Sequence, residues 1–543
     1  MFNLVGDYAR DLRREFSGYN AKFFQADLFA GVTVAAVALP LALAFGVGSG
    51  ADAASGLISA IVSAFLIGAL SGASFQISGP TGAMTAILIP LSARYGMQGV
   101  LAAGAIAGGI LLLAGLLRLG KLVYFLPAPV ISGFTSGIAV IIALGQAENL
   151  FGVKSHGTET LERFWAIFSD GFAPNYFALA IGVAVIAIMF LWPKKFAARF
   201  PGSLAAVLIS TVVAFVFRMP VDLVGEIPRT LVHESRLTID ALLSVHLSDI
   251  LVPAFSVAAL GMIESLLCGV AGGKMKGERL NGDRELIAQG IGNLLLPFLG
   301  GVPATAAIAR SSVAIKSGGR TRLTGIVQGV VLLLSMFLLA PLMSRIPLSA
   351  LAGVLMVTAW RMNDWHNIRY IFGRNFKFGV AKFLITMIVT IVFDLTIAIA
   401  AGATFAMIAF VSKVAELDVK INDVDPARVG GRIKLAGRTQ LIYVTGAIFF
   451  GSIDRLESGL SKADGDIVIV SMRAVPYIDT SGVQSLHEYC ERMHAQGRSA
   501  IFASVNPKVM PMLQRAGIVD LLGHDAFFDT IVDAIGMAEL PEA

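Results

Sequence analysis

Two apolar stretches of this chain are interrupted in the same way, at matching places in its two halves. Ser78-Gly79-Pro80-Thr81-Gly82-Ala83 opens the short run Met84 to Leu91, and Gly300-Gly301-Val302-Pro303-Ala304-Thr305-Ala306-Ala307 opens Ile308 to Ile315. A helix needs roughly 20 apolar residues to cross a bilayer, so neither run crosses alone. The Gly and Pro ahead of each cannot continue a helix cheaply. Paired interruptions of this kind point to a substrate site near the membrane midplane. The reading is therefore a carrier.

The rest of the chain fits a bilayer. Of 543 residues, 56% are hydrophobic and 15% are charged, where a soluble domain carries about 25% charged. From about Lys413 onward charge returns and the apolar runs shorten to strand length. The expected organisation is a polar N-terminal segment (1–26), a transmembrane domain (27–415), a linker (416–436) and a soluble domain (437–543). The stretch after Asp27 is long enough to stay as a span, so no cleaved signal is expected. Cys268 and Cys490 fall in different regions and imply no disulfide framework. A net charge of +5 gives no argument for a nucleic-acid partner.

Apolar runs fall near 27–47, 53–71, 80–92, 97–117, 124–150, 175–192, 202–218, 250–272, 285–299, 304–316, 323–344, 347–360, 377–393 and 396–412, with the third and tenth short. Loops after even-numbered runs hold Arg118 and Lys121, then Lys194, Lys195 and Arg199, then Lys274, Lys276, Arg279 and Arg284. Lys316, Arg320 and Arg322 follow run ten, and Arg361, Arg369, Arg374 and Lys377 follow run twelve. This bias places both termini in the cytoplasm. Pro40 precedes Pro80 by 40 residues and Glu264 precedes Pro303 by 39. Seven spans per half then insert with opposite topology, an inverted repeat. Gly104 and Gly108 read as helix packing.

A helix that begins inside the membrane offers unpaired N–H groups and the positive end of its dipole. Two such ends facing one another would bind a small anion without a fixed cation. Gly82, Ala83, Ala306 and Ala307 let a ligand approach the backbone, and Thr81 and Thr305 add hydroxyls. Small residues packing helices is the alternative for any one of them. Glu264 is the one carboxylate well inside an apolar run, and an ionisable group in lipid is expensive and functional by default. It suits a proton-coupling site or a cation ligand, with a salt bridge to Arg310 as the structural alternative. Arg310 either tunes the field for an anion or pairs with Glu264. Asn281, Asp283, Arg284, Glu285, Gln289 and Asn293 read as capping and packing the ninth span.

In the tail, Leu441–Phe450, Asp466–Met472 and Ser499–Ala503 read as strands, with a helix from Val483 to Ala495 and another from Pro507. Alternating strands and helices give a small α/β domain, and Asp479-Thr480-Ser481-Gly482 is a natural helix N-cap. No metal-ligand cluster, phosphate loop or triad spacing stands in the sequence, so an enzyme is not expected.

These segments resemble the SulP/SLC26 anion transporter family over essentially the full length. The resemblance is carried by Ala26-Asp27 through Thr33, Leu39-Pro40 through Phe45, Ile77-Ser-Gly-Pro80, Glu285 through Asn293, and Ile308-Ala-Arg310-Ser-Ser through Gly318-Gly-Arg-Thr321. The tail resembles a STAS domain, with Asp479-Thr-Ser-Gly482 at its signature loop. The resemblance implies an all-α membrane domain of fourteen segments in a 7+7 inverted repeat, its core and gate parts moving elevator-like, then a small α/β STAS domain. It implies a homodimer, and an anion held by Phe45, Thr81, Gly82, Ala83 and the segment Thr305, Ala306, Ala307, Ile308, Ala309 and Arg310. Leu41 stands where the family often has Gln, and Ala309 where it often has Ser, so the anion or its affinity can differ. Glu264 and Cys268 sit at the coupling-ion position. A sodium site would be expected to carry a hydroxyl where Cys268 stands, which favours protons. Asp479, Thr480 and Ser481 are the possible regulatory positions, since some free-standing STAS proteins are phosphorylated at the residue matching Thr480.

The expectation is a multi-pass bacterial inner-membrane symporter of bicarbonate, sulfate or a C4-dicarboxylate, with no cofactor beyond a coupling H+ or Na+. Sodium-coupled bicarbonate uptake, an uncoupled exchanger or channel, and a nucleobase permease are the alternatives. A protein partner for the tail is compatible with any of them.

Overall fold

The computed structural model describes the whole chain except residues 1–3, 122–126, 158, 170, 194–199, 245, 394, 425–436 and 538–543. Lys194, Lys195 and Arg199 of the charge pattern lie outside the described residues, as does most of the expected linker. The chain divides into two compact units at residues 403 and 404, inside a helix.

The first unit is helical. Its main elements are α1 (Leu4–Glu15), α2 (Ala21–Gly48), α3 (Ala53–Leu70), β1 (Ser78–Gly79), α4 (Gly82–Leu116), α5 (Ala128–Gly145), α6 (Tyr176–Leu191) and α7 (Gly202–Val216). The second half supplies α8 (Leu247–Lys276), α9 (Gly282–Leu299), β2 (Thr305–Ala306), α10 (Ile308–Lys316), α11 (Leu323–Leu338), α12 (Leu348–Met362), α13 (Trp365–Gly373), α14 (Lys377–Val392) and α15 (Leu395–Val414). Every apolar run of the sequence holds helix. Runs three and four appear as one helix, α4, broken at Gly96, whose φ of 65° leaves the helical region. Among the described residues five helices are long and apolar enough to cross a bilayer alone, α5 doing so with the short turn that continues it to Phe151. The two halves repeat one order: helix, helix, two-residue strand, helix. β1 and β2 pair antiparallel, Ser78 with Ala306 and Gly79 with Thr305.

Packing falls into two groups. α4 lies against α8 and α9, and α2 and α3 lie against each other and α11; α5 lies against α12 and α14, and α6 against α7 and α12. The α4–α9 contact is close because glycine permits it. A Cβ on Gly108 would stand 2.3 Å from the Leu294 amide nitrogen, and one on Gly104 would stand 2.8 Å from the Pro303 ring. Both glycines are helix-packing positions, as their sequence context suggests.

Polar ties hold the ends. The buried Asp27 carboxylate accepts from the Arg320 and Thr321 amides (2.6 and 3.0 Å), the Thr321 and Thr324 hydroxyls (2.6 and 2.9 Å) and Tyr19 (2.9 Å). This joins the start of α2 to the turn before α11, two segments far apart in sequence. α1 is clamped by Arg322 on Glu15 at 2.8 Å and Arg284 on Asp11 at 2.5 Å.

The second unit holds a five-stranded sheet: β3 (Asp418–Asp423), β4 (Thr439–Thr445), β5 (Ile467–Ala474), β6 (Ser499–Ala503) and β7 (Phe527–Phe528), in that spatial order. β3 is antiparallel to β4 and the rest are parallel. Residues 418–423, assigned to the linker by sequence, are thus an edge strand; their alternating polar exterior hid them. α16 (Ile453–Leu460) and α17 (Thr480–Ala495) share one apolar core with the sheet, and α18 (Ile531–Met537) covers Leu441, Ile469 and Ile501 on the other face. Asp479 caps α17, its Oδ1 accepting from the Gly482 amide at 2.8 Å and its Oδ2 from the Phe450 amide at 3.0 Å.

Two outcomes follow. Gly108→Val forces a branched side chain into the Leu294 backbone, and overpacking of this kind costs about 2 kcal/mol or more; a lowered thermal midpoint of the detergent-solubilised protein checks it. Desolvation pushes the Cys490 thiol up to about 12. The thiolate is the reactive form, so in a Cys268→Ser background maleimide labelling near pH 8 is expected to stay negligible until the protein is denatured.

Candidate functional site

The β1–β2 pair brings the two interruptions together. Each strand ends where a helix starts, so the N-termini of α4 and α10 flank the same point. Three residues of α9, one turn apart, fix the pair from behind. Asn293 donates to the Ala304 carbonyl (2.8 Å) and accepts from the Ala304 amide (2.7 Å), acting as an extra strand residue for β2. Gln289 donates to the Ser78 hydroxyl at 2.9 Å, holding β1, and to Glu285 at 2.9 Å. The Glu285 carboxylate accepts from the Ser71 hydroxyl (2.6 Å) and the Gly72 amide (2.9 Å). Glu285 is fully buried, a second intramembrane carboxylate that its place in a polar run concealed. Ser265 and Ser311 add further ties, to the Ala306 and Ile77 amides at 3.2 and 3.0 Å.

Glu264 stands on α8 beside this pair. Its Oε2 accepts from Thr81 (2.8 Å) and Thr305 (2.6 Å), whose hydroxyls lie 3.3 Å apart. Each half of the repeat thus contributes one threonine to one carboxylate oxygen. The side chain is half-buried, not sealed. Thr81 also caps α4, accepting from the Met84 amide. Cys268, one turn on, is buried and donates to Ser311 at 3.4 Å; it does not reach the carboxylate.

Arg310 does not form the salt bridge weighed from sequence. Among the described residues no ion pair joins it to Glu264. Its Nη2 donates to the Pro80 carbonyl at 2.9 Å, across the strand pair, while Nη1 is buried with no partner among the described residues. Gly79 makes room for it: its φ of +154° disfavours a side chain, and a Cβ would meet Nη1 at 2.6 Å. A guanidinium with an unused donor beside two helix N-termini is a strong attractor for an anion.

The two helix ends differ in access. Thr81, Gly82, Ala83 and Phe45 are buried. A Cβ on Gly82 would lie 3.2 Å from the Phe45 ring, 2.6 Å from Ile142 and 3.2 Å from Met362, so residues of α5 and α12 that carry no sequence signal cover the first end. α10 has no side-chain cap, and Ile308 (46% exposed) and Ala309 are open while Arg310 is not. Thr305 and Ala306 are fully buried in β2, and Ala307 is half-buried. A cavity of about 630 Å³ runs between α4 (Ala86 to Tyr95), α8 (Ser248 to Ser256), Ile141 and the end of α14. Ala86 in its lining is about one turn along α4 from Gly82, and Arg94 and Glu159, also in its lining, pair with each other. Among the described residues no cluster of three metal-ligating side chains exists.

Thr480 is exposed and Ser481 half-buried at the start of α17, in a unit separate from these groups.

Comparison with known proteins accords with this geometry. The pattern of the Sulfate permease family matches residues 24–389 and that of the STAS domain matches 432–534. A putative sulfate transporter, YvdB of Bacillus subtilis, is 35% identical over 95% of this chain and 98% of its own. The bicarbonate transporter BicA of a Picosynechococcus species is 30% identical over 86% of each chain. Among solved structures, the transmembrane domain of a cyanobacterial BicA superposes with a TM-score of 0.65 at 29% identity, covering 70% of this chain and 98% of that one. Murine Slc26a9 in its inward-facing state gives 0.84 at 16% identity, over 96% and 92%, a likeness of fold.

Asn293→Leu leaves the Ala304 amide and carbonyl buried without partners, a loss of about 2–4 kcal/mol. A thermal midpoint well below wild type checks this.

Proposed function

The chain belongs to the sulfate permease (SulP/SLC26) family, a family of membrane transporters and not of enzymes, and on that premise we propose that it is a proton-coupled importer of a small oxyanion. The observation that carries the reading is Glu264 held by one threonine from each half of the repeat, next to two helix N-termini and an Arg310 donor without a partner among the described residues. The anion sits between the amides at Gly82–Ala83 and Ile308–Ala309, with Phe45 against its apolar side. Bicarbonate and sulfate are the leading substrates, because relatives bear those names, and a C4-dicarboxylate is the third.

Coupling follows from charge. An anion entering beside an ionised Glu264 meets a like charge in a medium of low dielectric constant, which disfavours it. Protonation removes that charge and leaves the dipoles and Arg310 to hold the anion. Anion and proton therefore bind together and leave together, the thermodynamic requirement for symport. Movement of the α2–α4, α8–α11 group against the α5–α7, α12–α14 group gives alternating access. The protein works in the bacterial inner membrane with its Lys- and Arg-rich loops inside. The three oxygens of Glu264, Thr81 and Thr305 also suit a sodium ion, the second reading.

The test is uptake of radiolabelled bicarbonate, sulfate and succinate into proteoliposomes, with proton and sodium gradients imposed separately. One anion is expected to accumulate under an inward proton gradient, and Glu264→Gln to abolish accumulation while leaving downhill flux within about tenfold. Accumulation driven by sodium alone would make Glu264 a sodium ligand, and equal flux without either gradient would overturn coupled transport.

A further inference from the structure

The link between α12 and α14 carries a chemistry that transport does not use. Between Arg361 and Phe393 there are five Lys or Arg residues and a single carboxylate, Asp364. Asp364 is spent as the N-cap of α13, accepting from the Asn367 amide at 3.1 Å. α13 itself is a nine-residue amphipathic helix with Ile371 buried and Arg369 and Tyr370 exposed. Too short and too polar to span, it has the character of a helix lying in the membrane interface.

Cations and rings alternate on its surface. Arg369, Arg374 and Lys377 are exposed and form no ion pair among the described residues. Arg374 lies over the Tyr370 ring, 5.1 Å from its centroid, which fixes the guanidinium without neutralising it. Trp360 (55% exposed) has its ring 4.5 Å from that of Trp365 and tilted by 40° to it, and the Trp365 indole N–H donates to the Trp360 carbonyl at 3.0 Å. Phe378, 73% exposed, begins the apolar outer face of α14 that continues through Ile388 and Val392. The basic surface is thus continuous with an exposed apolar face, and it carries Trp and Tyr, the residues enriched at membrane–water interfaces.

We propose that this surface, α13 with the adjoining ends of α12 and α14, is a binding site for anionic phospholipid. Arg369, Arg374 and Lys377 take the headgroup phosphate, Trp360 and Tyr370 lie at the glycerol level, and Phe378 meets the acyl chain. Charge complementarity selects the lipid over a zwitterionic one: each basic residue near an anionic surface strengthens binding by about fivefold. The loop belongs to the set whose Lys and Arg excess marks the inner face, where such lipids are recruited by polybasic segments. The site is on the α5–α7, α12–α14 group, so bound lipid would anchor that group in the bilayer.

The chain has four tryptophans, and two are in this site. In a Trp165→Phe/Trp192→Phe background, Trp360 and Trp365 report directly on what lies against them. Full-length protein in vesicles containing brominated phosphatidylglycerol or brominated phosphatidylcholine at equal fraction is expected to show at least about fivefold preference for the former in fluorescence quenching. Arg369→Gln/Arg374→Gln/Lys377→Gln is expected to bring the preference to about unity, while Arg369→Lys/Arg374→Lys retains it. A second measurement, the thermal midpoint of the detergent-solubilised protein with four native tryptophans, is expected to rise with phosphatidylglycerol and not with phosphatidylcholine. Equal quenching by both lipids would mean a surface that merely borders the bilayer. Absence of quenching would mean protein covers it, and preference persisting in the triple variant would place the selectivity elsewhere. Each of these overturns the proposal.

Discussion

Two pairs of residues, Ser78 with Ala306 and Gly79 with Thr305, hold the membrane unit's two halves in register at its centre. Irregular backbone is tolerated at membrane depth only where protein satisfies its polar groups. Each interruption here satisfies the other, and neither could exist alone. The pair is antiparallel, which is the sense an inverted repeat requires. From that crossing the two helix N-termini necessarily flank one point.

A crossing of two residues per strand is too small to hold itself. The side chains of Asn293, Gln289 and Glu285 extend it backwards along one face of α9, and Ser265 and Ser311 extend it sideways. α9 can do this because glycines bring α4 within backbone contact of it. The network is polar and buried, where each satisfied bond is worth more and each missing one costs more than in water. These bonds hold the two helix N-termini in place, and a helix dipole acts only within a turn of the helix end.

Against this fixed centre the cover is asymmetric. Ile142 and Met362 close over Gly82, while Ile308 and Ala309 stay open. The covering residues belong to the other packing group, so the strand pair and its cover lie on different sets of helices. The polar ties at the periphery serve the same division: Asp27, Arg284 and Arg322 all join elements within the α2–α4, α8–α11 group or bind α1 to it.

The sequence by itself determined the membrane unit, the repeat, the mid-membrane breaks and the strand-helix order of the tail, because these rest on hydropathy, Gly-Pro punctuation and short-range periodicity. It also marked Glu264, since a carboxylate inside the apolar run 250–272 is visible to a linear reading. What only the tertiary structure decided is which groups meet: Arg310 on the Pro80 carbonyl and not on Glu264, Cys268 on Ser311, Glu285 as a buried clamp, Ile142 and Met362 over Gly82, and residues 418–423 as a strand. Each of these contacts joins positions from different elements, mostly more than 40 residues apart. Hydrogen-bond partners and close approach are set by packing, and no local pattern encodes which surface a helix will find.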